Sequence, residues 1–297
     1  MSKTEEADIC CANCGIAEVD DIKLEECDGC DFVKYCSDKC RGEHRKQHEE
    51  ECKKRRVELH DKELFSQPDG SYLGECPICF LPMPIDPTKY VFHPCCSSFI
   101  CKGCVYANRK SNGADRCPFC REPMSSSDEE TNKRMMKRIK ANDPVALRLK
   151  GLECYREGNY DGAVDHFTKA AELGDADAHC NLGFIYKGEG VENDEEKAVY
   201  HYEKAAIGGH PGARNNLGVF EEENGNMKRA VKHYIIAANL GYGDSMKCLW
   251  GHYSAGNITK EELDATLRTH HAAIDATKSK QRDAADLEAD YLRRMGA

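Results

Sequence analysis

From residue 143 onward, apolar and small residues return at a nearly constant interval among polar ones. Leu182-Gly183 recurs as Leu217-Gly218, 35 residues on, and Gly251 follows 33 later. Lys197-Ala198-Val199 returns as Arg229-Ala230-Val231, and Ala170-Ala171, Ala205-Ala206 and Ala237-Ala238 step by 35 and then 32. Self-similarity at this period predicts stacked units of two helices each. The first helix of a unit ends near Gly158, Gly188 or Gly225. The second ends at Ala-Ala-x-x-Gly, where Gly174, Gly209 and Gly241 suit a left-handed C-cap. Units run over 143–176, 177–211 and 212–243, a partial fourth starts at Asp244, and Thr259-Lys-Glu-Glu262 is a capping-box pattern that opens a terminal helix. Tyr155, Tyr160, Phe167, Tyr186, Tyr200, Tyr202, Tyr234 and Trp250 fall at helical spacings and read first as core. Cys154, Cys180 and Cys248 read as small buried hydrophobes. A single unit cannot bury its own apolar face, so stacking must supply the stability. The expected product is an all-α solenoid, the largest folded part of the chain.

The first 120 residues follow another logic. They hold 16 of the 19 cysteines and no helical repeat. The opening MSKTEEADIC has no apolar run of the kind an export signal needs, and with 40% hydrophobic and 32% charged residues no stretch is apolar enough for a membrane span. Dense cysteine in a chain read as cytoplasmic or nuclear points to metal ligation rather than disulfides.

Between 10 and 52 the ligands pair as Cys11-x2-Cys14, Cys27-x2-Cys30, Cys36-x3-Cys40 and His48-x3-Cys52. Four pairs suffice for two tetrahedral zinc sites. The stretch KYCSDKCRGEHRKQHEEEC reads as helical, which would put His48 and Cys52 on one face. Cys10 competes with Cys11, and His44, one turn before His48, competes with it. Tyr35-Cys36, the x3 pair and the closing His-x3-Cys make this segment similar to the MYND-type zinc finger. The resemblance implies interleaved sites, Cys11, Cys14, Cys36 and Cys40 on one zinc and Cys27, Cys30, His48 and Cys52 on the other. It also implies binding of short peptide segments of partner proteins. With all four positions filled by protein, such zinc is structural rather than catalytic.

A second cluster spans 76–120, with pairs Cys76-x2-Cys79, Cys101-x2-Cys104 and Cys117-x2-Cys120 around His93-Pro94-Cys95-Cys96. Cys-Pro-Ile-Cys at its start and Cys-Pro-Phe-Cys-Arg at its end resemble a RING finger. The resemblance implies that Cys76, Cys79, Cys101 and Cys104 hold one zinc, and that the central cluster with Cys117 and Cys120 holds another. Cys95 and Cys96 are the first choice for the central pair. His93 in place of Cys95 is the alternative, because neighbouring extended residues point to opposite sides. RING fingers commonly act as E3 ubiquitin ligases, holding a ubiquitin-charged E2 in a reactive geometry without attacking the substrate themselves. By resemblance the E2 contacts are Ile78 and Pro118, and Arg121 matches the position that hydrogen-bonds both E2 and ubiquitin.

The segment KAVYHYEKAAIGGHPGARNNLG is similar to Sel1-like repeats, relatives of the tetratricopeptide repeat. The expected organisation is therefore multidomain: two small zinc-stapled cross-brace modules followed by an all-α solenoid of Sel1-like helix pairs. The MYND-type finger covers 10–52, a linker 53–75, the RING-like finger 76–122, a polar and basic linker or helix 123–142, the repeats 143–256 and a helical cap 257–297. Four structural Zn2+ ions are expected. The anticipated function is an E3 ligase that pairs an E2 with protein partners held by the finger and repeats; the alternative is a non-enzymatic scaffold. The net charge of −10 argues against nucleic acid as a partner. Lys53-Lys54-Arg55-Arg56 and the run from Lys133 to Lys140 read first as solvated helix or linker, with a nuclear localisation signal as the alternative.

Overall fold

Each complete repeat starts where a side chain caps its first helix. In a computed structural model that describes residues 10–18, 22–70, 72–111, 115–188 and 191–295, the first helices are α4 (Pro144–Arg156), α6 (Ala176–Tyr186) and α8 (Pro211–Glu223). Asp143, Asp175 and His210 accept hydrogen bonds from the backbone N–H groups of Ala146, Ala178 and Ala213, which satisfies donors that a helix start leaves open. The partner helices are α5 (Tyr160–Glu172), α7 (Glu195–Ile207) and α9 (Met227–Asn239). Each packs on its own first helix and on that of the next unit. The recurring alanines, Ala170, Ala205, Ala206, Ala237 and Ala238, are fully buried at these contacts.

The periodic glycine has a steric purpose. Gly151, Gly183 and Gly218 lie eight residues after their caps, each against an aromatic ring of the partner helix. A Cβ there would come within 2.7 Å of Phe167, 2.7 Å of Tyr202 and 2.5 Å of Tyr234 respectively. Gly251 does not continue the series. In α10 (Gly243–Ser254) the eighth residue after the cap Tyr242 is Trp250, and Gly251 has open space around it. Trp250 is 50% exposed, so it leaves the core, as do Tyr160 and Tyr200. Cys154 is buried, while Cys180 and Cys248 are half-buried. The α11 helix (Lys260–Ala276) opens with the expected capping box at Thr259 and Glu262 and packs on α9 and α10.

The chain divides into two compact units, residues 1–66 and 67–297. The first holds β1 (Glu25–Glu26) and β2 (Lys34–Tyr35), an antiparallel pair, and the long helix α1 (Asp38–Leu64). Its small core is Cys11, Leu24, Tyr35 and Cys40. The KKRR run lies on α1, where Arg55 pairs with Asp31 and Glu58 and Lys53 with Glu49 and Glu50. These are exposed pairs of modest worth, the solvated helix face of the first reading.

The second unit contains the second finger as well as the repeats. Its hairpin joins β3 (Tyr90–His93) to β4 (Ser98–Cys101), followed by α2 (Lys102–Lys110) and, after the last cysteine pair, α3 (Asp128–Lys140). The finger is fixed to the repeats at their capping row. Ser97 donates to Asp143, and the Tyr72 hydroxyl donates to Asp177 at 3.1 Å. Arg148, nearly buried, pairs with Asp175 at 3.1 Å and Asp177 at 3.4 Å, with its guanidinium 6.0 Å from the Phe99 ring centroid. The last helix, α12 (Lys280–Arg294), packs on α2 of the finger. Of the stretch anticipated as a cap on the repeats, α11 lies on the repeats, and the packing of α12 is with the finger.

Candidate metal centres

Three of the cysteine pairs are built by one backbone turn. Cys11 N–H donates to Ile16 O and Gly15 N–H returns to Cys11 O; Cys76 with Leu81 and Phe80, and Cys117 with Glu122 and Arg121, repeat the pattern at 2.8–3.0 Å. Each turn needs a left-handed residue at its fifth position, supplied by Gly15 (φ 73°), Phe80 (φ 56°) and Arg121 (φ 63°). That conformation disfavours side-chain-bearing residues by about 1–2 kcal/mol, so Phe80 and Arg121 are held there by the turn. Other pairs use helix starts. Ser37 caps α1 and accepts from Cys40 N–H, and Cys101 caps α2 with its sulfur accepting from Cys104 N–H at 3.4 Å.

These elements gather sixteen ligand atoms into four groups, each with all its atoms within 4.8 Å of one another. The groups are Cys11, Cys14, Cys36, Cys40; Cys27, Cys30, His48, Cys52; Cys76, Cys79, Cys101, Cys104; and Cys95, Cys96, Cys117, Cys120. A sulfur tetrahedron around zinc at ~2.3 Å has edges of about 3.8 Å. The S···S distances fit: 3.5 Å for Cys14–Cys36, 3.8 Å for Cys27–Cys52, 3.8 Å for Cys79–Cys101 and 3.8 Å for Cys96–Cys117. His48 turns Nε2 toward Cys30 at 3.2 Å. No cysteine is in a disulfide. Crowding also makes the thiols share protons unequally. In the third group Cys101 donates to Cys76 and lowers it to about 4, while burial pushes Cys104 up to about 12. Metal binding resolves such a cluster by displacing the protons. Four zinc sites with full protein coordination follow.

The competing residues take other places. His44 Nδ1 faces the Tyr35 hydroxyl at 3.0 Å, and Cys10 is exposed, outside the first group. His93 is buried outside the fourth group, where Cys95 and Cys96 sit together with Cys117 and Cys120. The bend that brings neighbouring cysteines together is a turn, Cys96 N–H to His93 O at 3.2 Å. Arg138 of α3 clamps it, donating to Pro94 O at 3.0 Å and Cys95 O at 2.6 Å. Arg138 belongs to the basic run that read as solvent-facing, and nothing local in the sequence marks its role.

Ile78 and Pro118 are half-buried beside their knuckles, with Phe80 and Phe119 exposed nearby. Arg121 is exposed, and its guanidinium donates to Asn108 Oδ1 of α2 at 3.1 Å.

The geometry defines a zinc-stapled, helical-repeat protein. The MYND finger family matches residues 11–52, and the Sel1 repeat family matches 146–175, 176–210 and 211–242. The chain thus carries a MYND finger and three Sel1 repeats, both protein-interaction modules; neither match covers the finger at 76–120. Among solved structures, the chain is similar to a Sel1 repeat protein from Oxalobacter formigenes, at 24% identity and TM-score 0.44, over 65% of this chain and 86% of that one. It is also similar to c5321, a protective antigen present in uropathogenic Escherichia coli strains displaying an SLR fold. That match has 22% identity and TM-score 0.39, over 64% of this chain and 44% of that one. No curated protein matches the chain. Among the described residues no helix is long and apolar enough to cross a membrane.

Proposed function

We propose that this zinc-binding protein-interaction protein is a RING-type E3 ubiquitin ligase. In this reading the second finger receives a ubiquitin-charged E2, and the MYND finger and the repeats recruit protein partners in the cytoplasm or nucleus. The observation that carries the reading is the interleaving of ligand groups in 76–120. The two groups carry matched knuckle turns, with Ile78 in one and Pro118 in the other and Arg121 closing the second. The exposed Phe80 and Phe119 add apolar surface there. On the repeats, Phe184, Tyr200, Trp250 and Tyr253 are exposed aromatics of the kind enriched at protein interfaces. Such an enzyme works by holding the E2 thioester in position, so no nucleophile of its own is required.

One contact favours a non-enzymatic scaffold as the second reading: Arg121 already spends a donor on Asn108. Single-turnover discharge of a panel of ubiquitin-charged E2 enzymes onto free lysine separates the two. The ligase reading expects acceleration by the zinc-loaded protein, lost in Ile78→Ala and Arg121→Ala while zinc content stays at four. No acceleration across the panel with four zinc ions bound would leave the scaffold.

A further inference from the structure

Arg282, in the first turn of α12, is 7% exposed. Its Nη1 donates to Pro82 O and Thr277 O, both at 2.7 Å, and its Nη2 reaches Leu81 O at 3.3 Å and Cys79 Sγ at 3.4 Å. Among the described residues no carboxylate lies within ion-pair distance of it. A buried cation without a counter-charge is strongly destabilising. The counter-charge is within reach in the third ligand group, the most enclosed of the four, where Cys76, Cys101 and Cys104 are all buried. Four thiolates around one dication leave a net charge of roughly −2, and among the described residues Arg282 is the side chain that brings a full positive charge to one of their sulfurs, Cys79 Sγ.

The approach of α12 is also built into the finger's backbone. Gly103 stands between two ligands of this group, Cys101 and Cys104. A Cβ at Gly103 would lie 2.8 Å from Arg282 N and 3.0 Å from its Cα. Outward from that contact Lys89 pairs with Asp286 at 2.7 Å, and Arg109 and Lys110 both pair with Glu288. The dock therefore has a close backbone contact at its centre and ion pairs at its rim.

We propose that Arg282 is a positioning residue and the counter-charge of the zinc site formed by Cys76, Cys79, Cys101 and Cys104. Docking of the last helix and zinc retention at that site are then one coupled equilibrium. The inference rests on zinc occupancy and is independent of E2 engagement, so a failed discharge assay leaves it standing. Removing the hydrogen-bonding partner of a metal ligand commonly costs 10–100-fold in affinity.

The test is zinc release from the full-length, zinc-loaded protein to a chromophoric chelator, with alkylation and mass spectrometry to identify the cysteines that become free. Arg282→Ala is expected to release one of four zinc ions about 10–100-fold faster, exposing Cys76, Cys79, Cys101 and Cys104, with the other three rates unchanged. Gly103→Ala, which alters no polar group but pushes α12 away, is expected to labilise the same ion. Unchanged release in Arg282→Ala overturns the proposal. So does equal acceleration of all four ions in both variants, which would mean general unfolding.

Discussion

The two fingers share their chemistry and differ in what completes them. In the first, the ligand pairs are supported from within the same short segment: Ser37 caps α1, Tyr35 holds His44, and Arg41 reaches Glu25 and Asp28 across the finger. In the second, the knuckles are the same backbone turns, yet the ligand loops are held by Arg138 from α3 and Arg282 from α12, the latter about 200 residues away in sequence. Tyr72 and Phe99 tie it further to the capping row of the repeats. Ligand spacing alone therefore describes a zinc site, but it does not say whether that site is a free-standing staple or part of a larger core. A boundary drawn at the last cysteine of the second finger leaves out the helix that covers its best-buried zinc.

Zinc removal should give the largest effect and separate the fingers most clearly. A structural zinc site in so small a module contributes on the order of 10–16 kcal/mol of folding free energy, and the first finger's apolar cluster, Cys11, Leu24, Tyr35 and Cys40, is small. A strong chelator should abolish hydrogen-exchange protection around Leu24 and Tyr35, while α4 to α9 keep theirs, since their cores contain no zinc ligand. In the second finger, loss of protection at Phe99 and Ile100 should extend to residues 280–294. If α12 stays protected after chelation, the contrast drawn between the fingers is wrong.

Arg148 tests the other attachment. Replacing it with Ala leaves the Asp175 carboxylate, almost wholly enclosed, without its cation, and leaves Asp177 with His210 alone at 3.2 Å, a defect that costs about 3–5 kcal/mol in comparable settings. Thermal unfolding should show the unit of residues 67–297 melting at a clearly lower temperature. Zinc release from the first finger should not change. Equal destabilisation of both units would show that the first finger depends on the second unit after all.

Much of this was readable in the sequence where the signal is local. Cysteine pairs two or three residues apart, the Ala-Ala-x-x-Gly endings and the Thr259–Glu262 capping box declare themselves because the residues that interact are neighbours in the chain. Arg138 and Arg282 do not. Each is an unremarkable basic residue in a polar helix, and its partners are backbone carbonyls and a sulfur that only the fold brings near. Trp250 shows the converse error. Its helical spacing resembled that of the core aromatics, but it occupies the place where other units keep a glycine, and in those units even a Cβ would come within 2.7 Å of the partner helix's ring. The side chain goes to solvent, and Gly251 next to it only imitates the repeat.

That difference gives the smallest and sharpest of the expected effects. Gly183→Ala puts a methyl group 2.7 Å from the Tyr202 ring, which is almost wholly buried and cannot step aside. Overpacking of this kind costs about 1–3 kcal/mol and should exceed the gain of about 1 kcal/mol that alanine brings to a helix interior. Gly251→Ala receives that gain with nothing to oppose it, because beyond its own helix backbone and chain neighbours nothing lies within 4 Å of the added carbon. Denaturant unfolding followed by helix signal should therefore move in opposite directions for the two variants. A loss of stability in Gly251→Ala would mean that the position is packed after all, and that the fourth helix pair closes like the other three.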